Sequence, residues 1–300
     1  LIPFTGEVYP SPQPGSSKVV RPSSYFITTF SIMTGPSATT KYTGQLIDKR
    51  VLIVGGTSGI GYAVAEAALE HGARVTIVGK QVPKLEKALA QLSATYPTQT
   101  AGSRLQGMAR DLGDSPTVES SVQEILQLGA GSGKLQHLVI TAADMTPPPP
   151  VSEVTAEGLQ RTTTIRLMAP LLFAKHLPGF MDCATASSMT LTSGAHAHKP
   201  DAGWSVIAAH CGAVESLMKG LAIDLRPLRV NAVAPGAIMT DVVKDILGPF
   251  YDQAIQLAKE KSLVASAGAP EQVAQAYLYL MKDTYVTGSV LESNGGMLLA

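Results

Sequence analysis

The sequence predicts an α/β fold built on one doubly wound parallel sheet of about seven strands. Three observations carry that expectation. From Arg50 onward, short apolar runs alternate with stretches of helical period, the pattern of parallel strands joined by right-handed crossovers. A glycine turn closes the first apolar run and opens a helix, in Leu52-Ile53-Val54-Gly55-Gly56-Thr57-Ser58-Gly59-Ile60-Gly61 followed by Ala63, Val64, Ala67, Ala68 and Leu69. A length of 300 residues with 45% hydrophobic content supplies one substantial core.

In chain order, strands are expected over residues 51–55, 74–78, 104–108, 137–141, 187–192, 228–233 and 289–291. Val75-Thr76-Ile77-Val78 and Leu138-Val139-Ile140 are the plainest, because such runs suit a strand covered on both faces. Helices are expected over 59–71, 83–93, 117–128, 156–176, 205–225 and 270–282, where they fill the crossovers. In such a sheet, ligands bind at the carboxyl ends of the strands, where the strand order reverses. Two segments depart from the alternation. Pro147 to Pro150 predict a stiff extended stretch after the fourth strand, and residues 240–266 lie outside the regular pattern.

The first 45 residues differ in kind. Pro10, Pro12, Pro14, Gly15, Ser16, Ser17, Pro22, Ser23 and Ser24 interrupt any sustained period, so a disordered leader is expected over 1–45 and a catalytic domain over 46–300. The run from Phe26 to Met33 is short and broken by Thr28, Thr29 and Ser31, unlike the apolar core of a signal peptide. No span is expected to reach the ~20 apolar residues of a membrane helix. The 23 basic and 23 acidic residues are interspersed and cancel, which argues against nucleic-acid and membrane partners and for a small molecule. Cys183 and Cys211 have neither disulfide-framework nor metal-ligand spacing, which points to a reducing, cytoplasmic setting. His196 and His198 lack a third ligand in view, so no metal site is expected.

The glycines let the backbone approach a pyrophosphate, and the N-terminus of the following helix offers unpaired N–H groups to its charge. This motif resembles the Gly-x-x-x-Gly-Ile-Gly form of the short-chain dehydrogenases/reductases. Four further stretches match at that family's intervals. They are Ala109-Arg110-Asp111-Leu112, Leu138-Val139-Ile140-Thr141-Ala142-Ala143, Arg229-Val230-Asn231-Ala232-Val233-Ala234-Pro235-Gly236, and Tyr285-Val286-Thr287-Gly288 with Asn294-Gly295-Gly296. The resemblance covers residues 47–300 and implies a Rossmann-type sheet that binds a nicotinamide dinucleotide through Gly55, Thr57, Ser58, Ile60 and Gly61. It further implies that Asp111 meets the adenine, that Thr141 and Ala142 line the ribose side, and that the segment with Ile238 and Thr240 holds the carboxamide and pyrophosphate. Asp111 reads equally as a turn-capping residue.

Enzymes that select NAD place a carboxylate about 20 residues beyond the glycines, on the ribose hydroxyls. Here that place is cationic: Lys80 follows the second strand. Lys80 with Ser58 would hold a 2′-phosphate, which favours NADP(H); the alternative is a solvated surface lysine.

The family's proton-transfer set is replaced. The resemblance places a Ser near the end of the fifth strand, a Tyr thirteen residues later, a Lys four beyond that and an Asn on the preceding helix; these positions carry Ser193, Val206, His210 and Arg166. Valine has no proton to give, so reduction of a neutral ketone would leave an alkoxide without its acid. A cationic C=N group needs no proton when hydride arrives, and is helped instead by a nearby anion. Asp201 is the candidate, in Lys199-Pro200-Asp201-Ala202-Gly203-Trp204, where Pro200 restricts the loop and Trp204 offers an indole face. Arg166 supplies a permanent cation, to contact the cofactor ribose or to orient Asp201. The plainer readings are a turn aspartate and a surface ion-pair arginine. His210 is expected to pack or hydrogen-bond rather than act as a base, and Ser193 to line the substrate pocket or to be a vestige.

Arg166, Val206, His210 and residues 200–204 together are similar to a fungal branch of the family: the bifunctional reductase/Diels–Alderases of prenylated indole alkaloid biosynthesis, of the malbrancheamide-pathway type. Ala202 stands where that branch's loop has Pro. The branch implies NADPH-dependent reduction of a cyclic iminium or zwitterion from a prenylated Trp–Pro dipeptide. An intramolecular [4+2] cycloaddition to a bicyclo[2.2.2]diazaoctane then needs a shaped pocket rather than an acid or base. Ala143, Met145, Trp204 and residues 240–266 are the expected walls, and a homo-oligomer through the 156–176 and 205–225 helices is the family's habit. Two other readings stay open: an ordinary NADP-dependent ketone or imine reductase using His210 or Ser193 as its acid, and a non-catalytic NADP(H) sensor.

Overall fold

The computed structural model describes residues 41–144 and 149–300. Of the leader expected over 1–45, residues 1–40 lie outside the described residues, as do Met145, Pro147 and Pro148. Strands β1 (Arg50–Val54), β2 (Arg74–Gly79), β3 (Leu105–Ala109), β4 (His137–Ile140), β5 (Ser188–Thr192), β6 (Arg229–Pro235) and β7 (Val290–Ser293) form a single sheet. Their order is β3-β2-β1-β4-β5-β6-β7 and every neighbouring pair is parallel. The order reverses between β1 and β4, so the carboxyl ends of these two strands frame the ligand crevice of a doubly wound sheet.

Strand alternation divides the core into two layers. Val51 and Ile53 face one side, with α1 (Gly59–Glu70), α2 (Val82–Thr95) and α10 (Pro270–Lys282). Leu52 and Val54 face the other, with α4 (Val118–Ala130), α6 (Ala169–Phe180) and α7 (Ser205–Asp224). Phe173 and Tyr277 anchor the two layers, each 0% exposed; truncating a side chain of this size to Ala costs about 3–5 kcal/mol. Arg229 locks β6 to the end of α10: its guanidinium donates to the carbonyls of Leu280 at 2.6 Å and Met281 at 3.0 Å, orphan acceptors of the last helical turn. The remaining helices are α3 (Pro97–Thr100), α5 (Ala156–Thr163), α8 (Asp241–Leu247) and α9 (Tyr251–Glu260).

Two sequence expectations are corrected. The continuous helix over 156–176 is instead α5, a π-turn at Thr164–Met168, and α6. Pro170 has no N–H for the Arg166 carbonyl, and the Ala169 N–H bonds five residues back, to Thr164. A helix long and apolar enough to cross a membrane does exist: α7 has 20 residues and a mean hydropathy of 1.4. It buries His210, Cys211, Val214, Glu215, Met218 and Leu221, the inner stripe of a helix packed on the sheet.

Candidate active site

At the carboxyl end of β1 the chain turns through Gly55 at φ +96°, where the N–H groups of Gly55 and Gly56 both bond the Val78 carbonyl. A Cβ on Gly55 would lie 2.6 Å from the Ala142 nitrogen, and one on Gly61 would lie 2.3 Å from the Gly55 oxygen. The turn, the first turn of α1 and the end of β4 therefore pack backbone against backbone. Ser58 precedes α1 without a side-chain capping bond, so it leaves that helix's N-terminus open to an anion. Thr57 lies against Gly79, where a Cβ would come within 2.4 Å of its methyl, and Ile60 packs on the α1 side of the core. The Thr141 hydroxyl donates to the Val54 carbonyl at 3.2 Å, which ties β4 to the turn. Across the cleft, Thr240 caps α8 by accepting from the Val243 N–H at 3.1 Å; its methyl is 3.0 Å from where a Gly59 Cβ would stand. Ile238 pairs with Gly268 in an isolated bridge beneath it.

Lys80 is not solitary: its Nζ is 3.7 Å from Asp111 Oδ2. Asp111 also accepts from the Gly113 N–H at 2.9 Å and from Arg161 at 2.9 Å, and Arg161 reaches on to Asp144 at 2.8 Å. Burial pushes the Asp111 carboxyl up, but the Gly113 hydrogen bond and the Arg161 guanidinium more than offset it and hold it below the usual carboxylate range. Asp111 thus caps its own turn and belongs to a charge network as well. Arg161 and Asp144 escaped the sequence reading, because nothing in their local spacing marks them as partners.

Arg166 stands in the π-turn, beside Ile140, Ala142, Leu191 and Thr192 at the ends of β4 and β5. Its Nε is buried and has no hydrogen-bond partner among the described residues. A donor of that kind is costly unless a ligand oxygen meets it. Among the described residues no hydrogen bond or ion pair joins Arg166 to Asp201, so the structure gives no sign that Arg166 orients that carboxylate.

Ser193 and His210 are both engaged within the protein. Ser193 is buried, with its Oγ 2.8 Å from Glu215 Oε1 and 3.1 Å from the Cys211 carbonyl. Glu215 in turn lies 2.9 Å from His198 Nε2. The Ser193 hydroxyl is therefore bonded within the core. His210 Nδ1 is 2.7 Å from the Val206 carbonyl, which can only accept, so that nitrogen carries a proton, and Nε2 lies 3.1 Å from the Thr163 hydroxyl.

Asp201 lies on the loop between β5 and α7 and is half-exposed. Its Oδ1 accepts from Lys261 Nζ at 2.6 Å and its Oδ2 is 3.5 Å from His196 Nε2. The Lys261 ammonium holds the Asp201 carboxyl below its ordinary range, against a smaller upward push from burial. His196 stacks on Trp204 with ring centroids 4.2 Å apart and planes at 9°, so one face of the indole is already covered. Burial lowers the His196 pKa, although Asp201 pulls it up. Lys261 was not foreseen: it enters from the segment after α9, sixty residues further along the chain.

A model of the SDR-like Rossmann domain matches residues 42–300. The chain belongs to the short-chain dehydrogenase/reductase family. Within the family it is 50% identical to the short-chain dehydrogenase/reductase malC of Malbranchea aurantiaca, over 84% of this chain and 95% of that one. It is 35% identical to the short-chain dehydrogenase/reductase ucsE of an Acremonium species, over 87% of this chain and 99% of that one. Among solved structures, it is similar to the MalC reductase/Diels–Alderase from Malbranchea aurantiaca, with a TM-score of 0.83 and 49% identity, covering 86% of this chain and all of that one.

The glycine cradle, the open N-terminus of α1 and the unpartnered Arg166 Nε suit the family's nicotinamide dinucleotide. The β5–α7 loop carries an anion, Asp201, and an aromatic ring, Trp204, while Ser193 and His210 are engaged within the protein and Val206 has no proton to give.

Proposed function

We propose that this chain is an NADPH-dependent oxidoreductase with Diels–Alderase activity. It reduces a cyclic iminium or zwitterion derived from a prenylated Trp–Pro dipeptide, then guides the product through an intramolecular [4+2] cycloaddition to a bicyclo[2.2.2]diazaoctane indole alkaloid. One observation supports the reading: His210 is engaged by Val206 and Thr163, Val206 has no proton to give, and the loop that leads into α7 carries the ionised carboxylate of Asp201.

The dinucleotide, when bound, supplies hydride. The chain does the rest. Gly55, Gly59 and Gly61 with the N-terminus of α1 hold the pyrophosphate, and Lys80 with Ser58 holds a 2′-phosphate, which selects NADPH. Arg166 offers its free Nε–H to the ribose. Asp201 stays ionised well below neutral pH and stabilises the substrate cation. Cycloaddition asks only for a near-attack pose, for which Trp204, Ala143 and the 240–266 segment, with Ile246 and Phe250 exposed on it, are the walls. Similarity to a reductase/Diels–Alderase supports this assignment. An ordinary ketone reductase is disfavoured by the engagement of Ser193 and His210 within the protein. Free Cys183 and Cys211 agree with a cytosolic setting, and exposed Leu171 on α6 and Ile223 on α7 with a homo-oligomer through those helices.

The test is incubation with NADPH and a cyclic prenylated iminium, with a matched ketone as control. Cofactor oxidation with the iminium alone is expected, and Asp201→Ala should slow it about a hundredfold while NADPH binding is unchanged. Ketone turnover, or cofactor binding without any consumption, overturns the assignment.

A further inference from the structure

The cation that faces Asp201 belongs to the protein itself. Lys261 Nζ sits 2.6 Å from Oδ1, and among the described residues it is the only full positive charge within salt-bridge distance of that carboxylate; His196, at 3.5 Å, is kept toward its neutral form by burial. Both partners are open to water, at 42% exposure for Asp201 and 41% for Lys261. An ion pair so exposed is worth about two- to fivefold in an equilibrium constant, so it can be exchanged.

The backbone at Lys261 is fixed by other means. Its N–H closes α9 onto the Leu257 carbonyl, and the next residues are pinned to the C-terminal turn, Ser262 Oγ to the Gly295 carbonyl at 3.2 Å and the Leu263 N–H to the same oxygen at 2.9 Å. Only the flexible side chain reaches Asp201. Its release therefore needs a rotamer change, with no displacement of α9.

We propose that Lys261 is a specificity-determining residue that sets the charge requirement of this site: its ammonium occupies Asp201 until a cationic substrate takes its place. A neutral molecule cannot make that exchange, so it gains nothing from the carboxylate. The ammonium thus stands in for the substrate's C=N⁺ group and keeps Asp201 paired between turnovers. This inference rests on the reading of Asp201 as the substrate's counter-charge.

Trp204 is the only tryptophan in the chain and lies three residues from Asp201, so its fluorescence, excited at the red edge, reports binding directly. The full chain is titrated with N-benzyl-1-pyrrolinium, a permanent iminium, and with neutral N-benzylpyrrolidinone. Lys261→Met should bind the cation two- to fivefold more tightly than the parent, with the lactam unchanged; Lys261→Arg should restore the parent affinity. Asp201→Asn should lose the preference for the cation. Unchanged or weaker cation binding in Lys261→Met, with the preference still abolished in Asp201→Asn, overturns the role of Lys261 alone. A preference that survives Asp201→Asn overturns the reading of Asp201 and takes this inference with it.

Discussion

At the nucleotide end of the site, recognition is built from backbone: Gly55 and Gly61 bring β1, α1 and β4 together at distances that no Cβ would allow, and Ser58 leaves the start of α1 open. The proposed substrate end draws instead on side chains from across the fold, with Asp201 from the β5–α7 loop, Lys261 from beyond α9, Arg166 from a π-turn and His196 stacked on Trp204. Backbone recognition is rigid and tolerates no added atom. Side-chain recognition can be rebuilt piece by piece, which is how Val206 and His210 could replace a proton-transfer pair while the nucleotide end stayed intact.

Breaking the nucleotide end should give the largest effect. Gly61→Val would drive a branched side chain into the Gly55 carbonyl, and we expect NADPH affinity to fall by more than about a hundredfold in a fluorescence titration, with a loss of stability as well. Retained affinity would mean that the turn is softer than its packing implies.

Acid separates the scaffold from the Asp201 end. His137 on β4 is fully buried against Ser188, and burial, aided by Arg229 and Lys49, depresses its pKa to about 3. The unfolded chain takes up that proton near the usual 6.5, so between these values the unfolded state binds more protons and stability falls as pH drops, by at most about 1.4 kcal/mol per pH unit. Asp201, held below its ordinary range, keeps its charge through most of that window. Thermal melts should therefore weaken below pH 6.5 while the surviving folded enzyme still discriminates cations. A flat melting profile between pH 6.5 and 5 would show that His137 is protonated inside the fold.

The smallest effect sharpens the contrast from the other side. Ser193→Ala should change iminium turnover less than about threefold but lower stability by about 1–2 kcal/mol, because the hydroxyl serves Glu215 within the core. A large loss of turnover in steady-state kinetics at constant stability would restore Ser193 to the chemistry.

This contrast also explains what could be read in the chain. The strand positions were legible, each within two residues of its observed bounds, and plainest in β1, β2 and β4, where burial on both faces leaves little choice of composition. The glycine turn was legible because the glycines themselves mark it, although the groups they make room for, Ile77, Ala142 and Thr240, lie far along the chain. Arg161 bridging Asp111 and Asp144, and Lys261 meeting Asp201, were not, since each partner is set by tertiary packing and a solvated lysine looks the same in sequence. The π-turn was signalled only by Pro170, which suits the first turn of a new helix as well as a fault in an old one.

That π-turn has a geometric consequence. One extra residue in a helical turn shifts the phase of everything after it by about 100°, so α6 presents Phe173 and Leu177 to the sheet only because the register slips at Thr164–Met168. Deleting a single residue there would restore an unbroken helix and rotate either Arg166 away from the ends of β4 and β5 or the Phe173 stripe off the sheet, so the two compete for one screw axis.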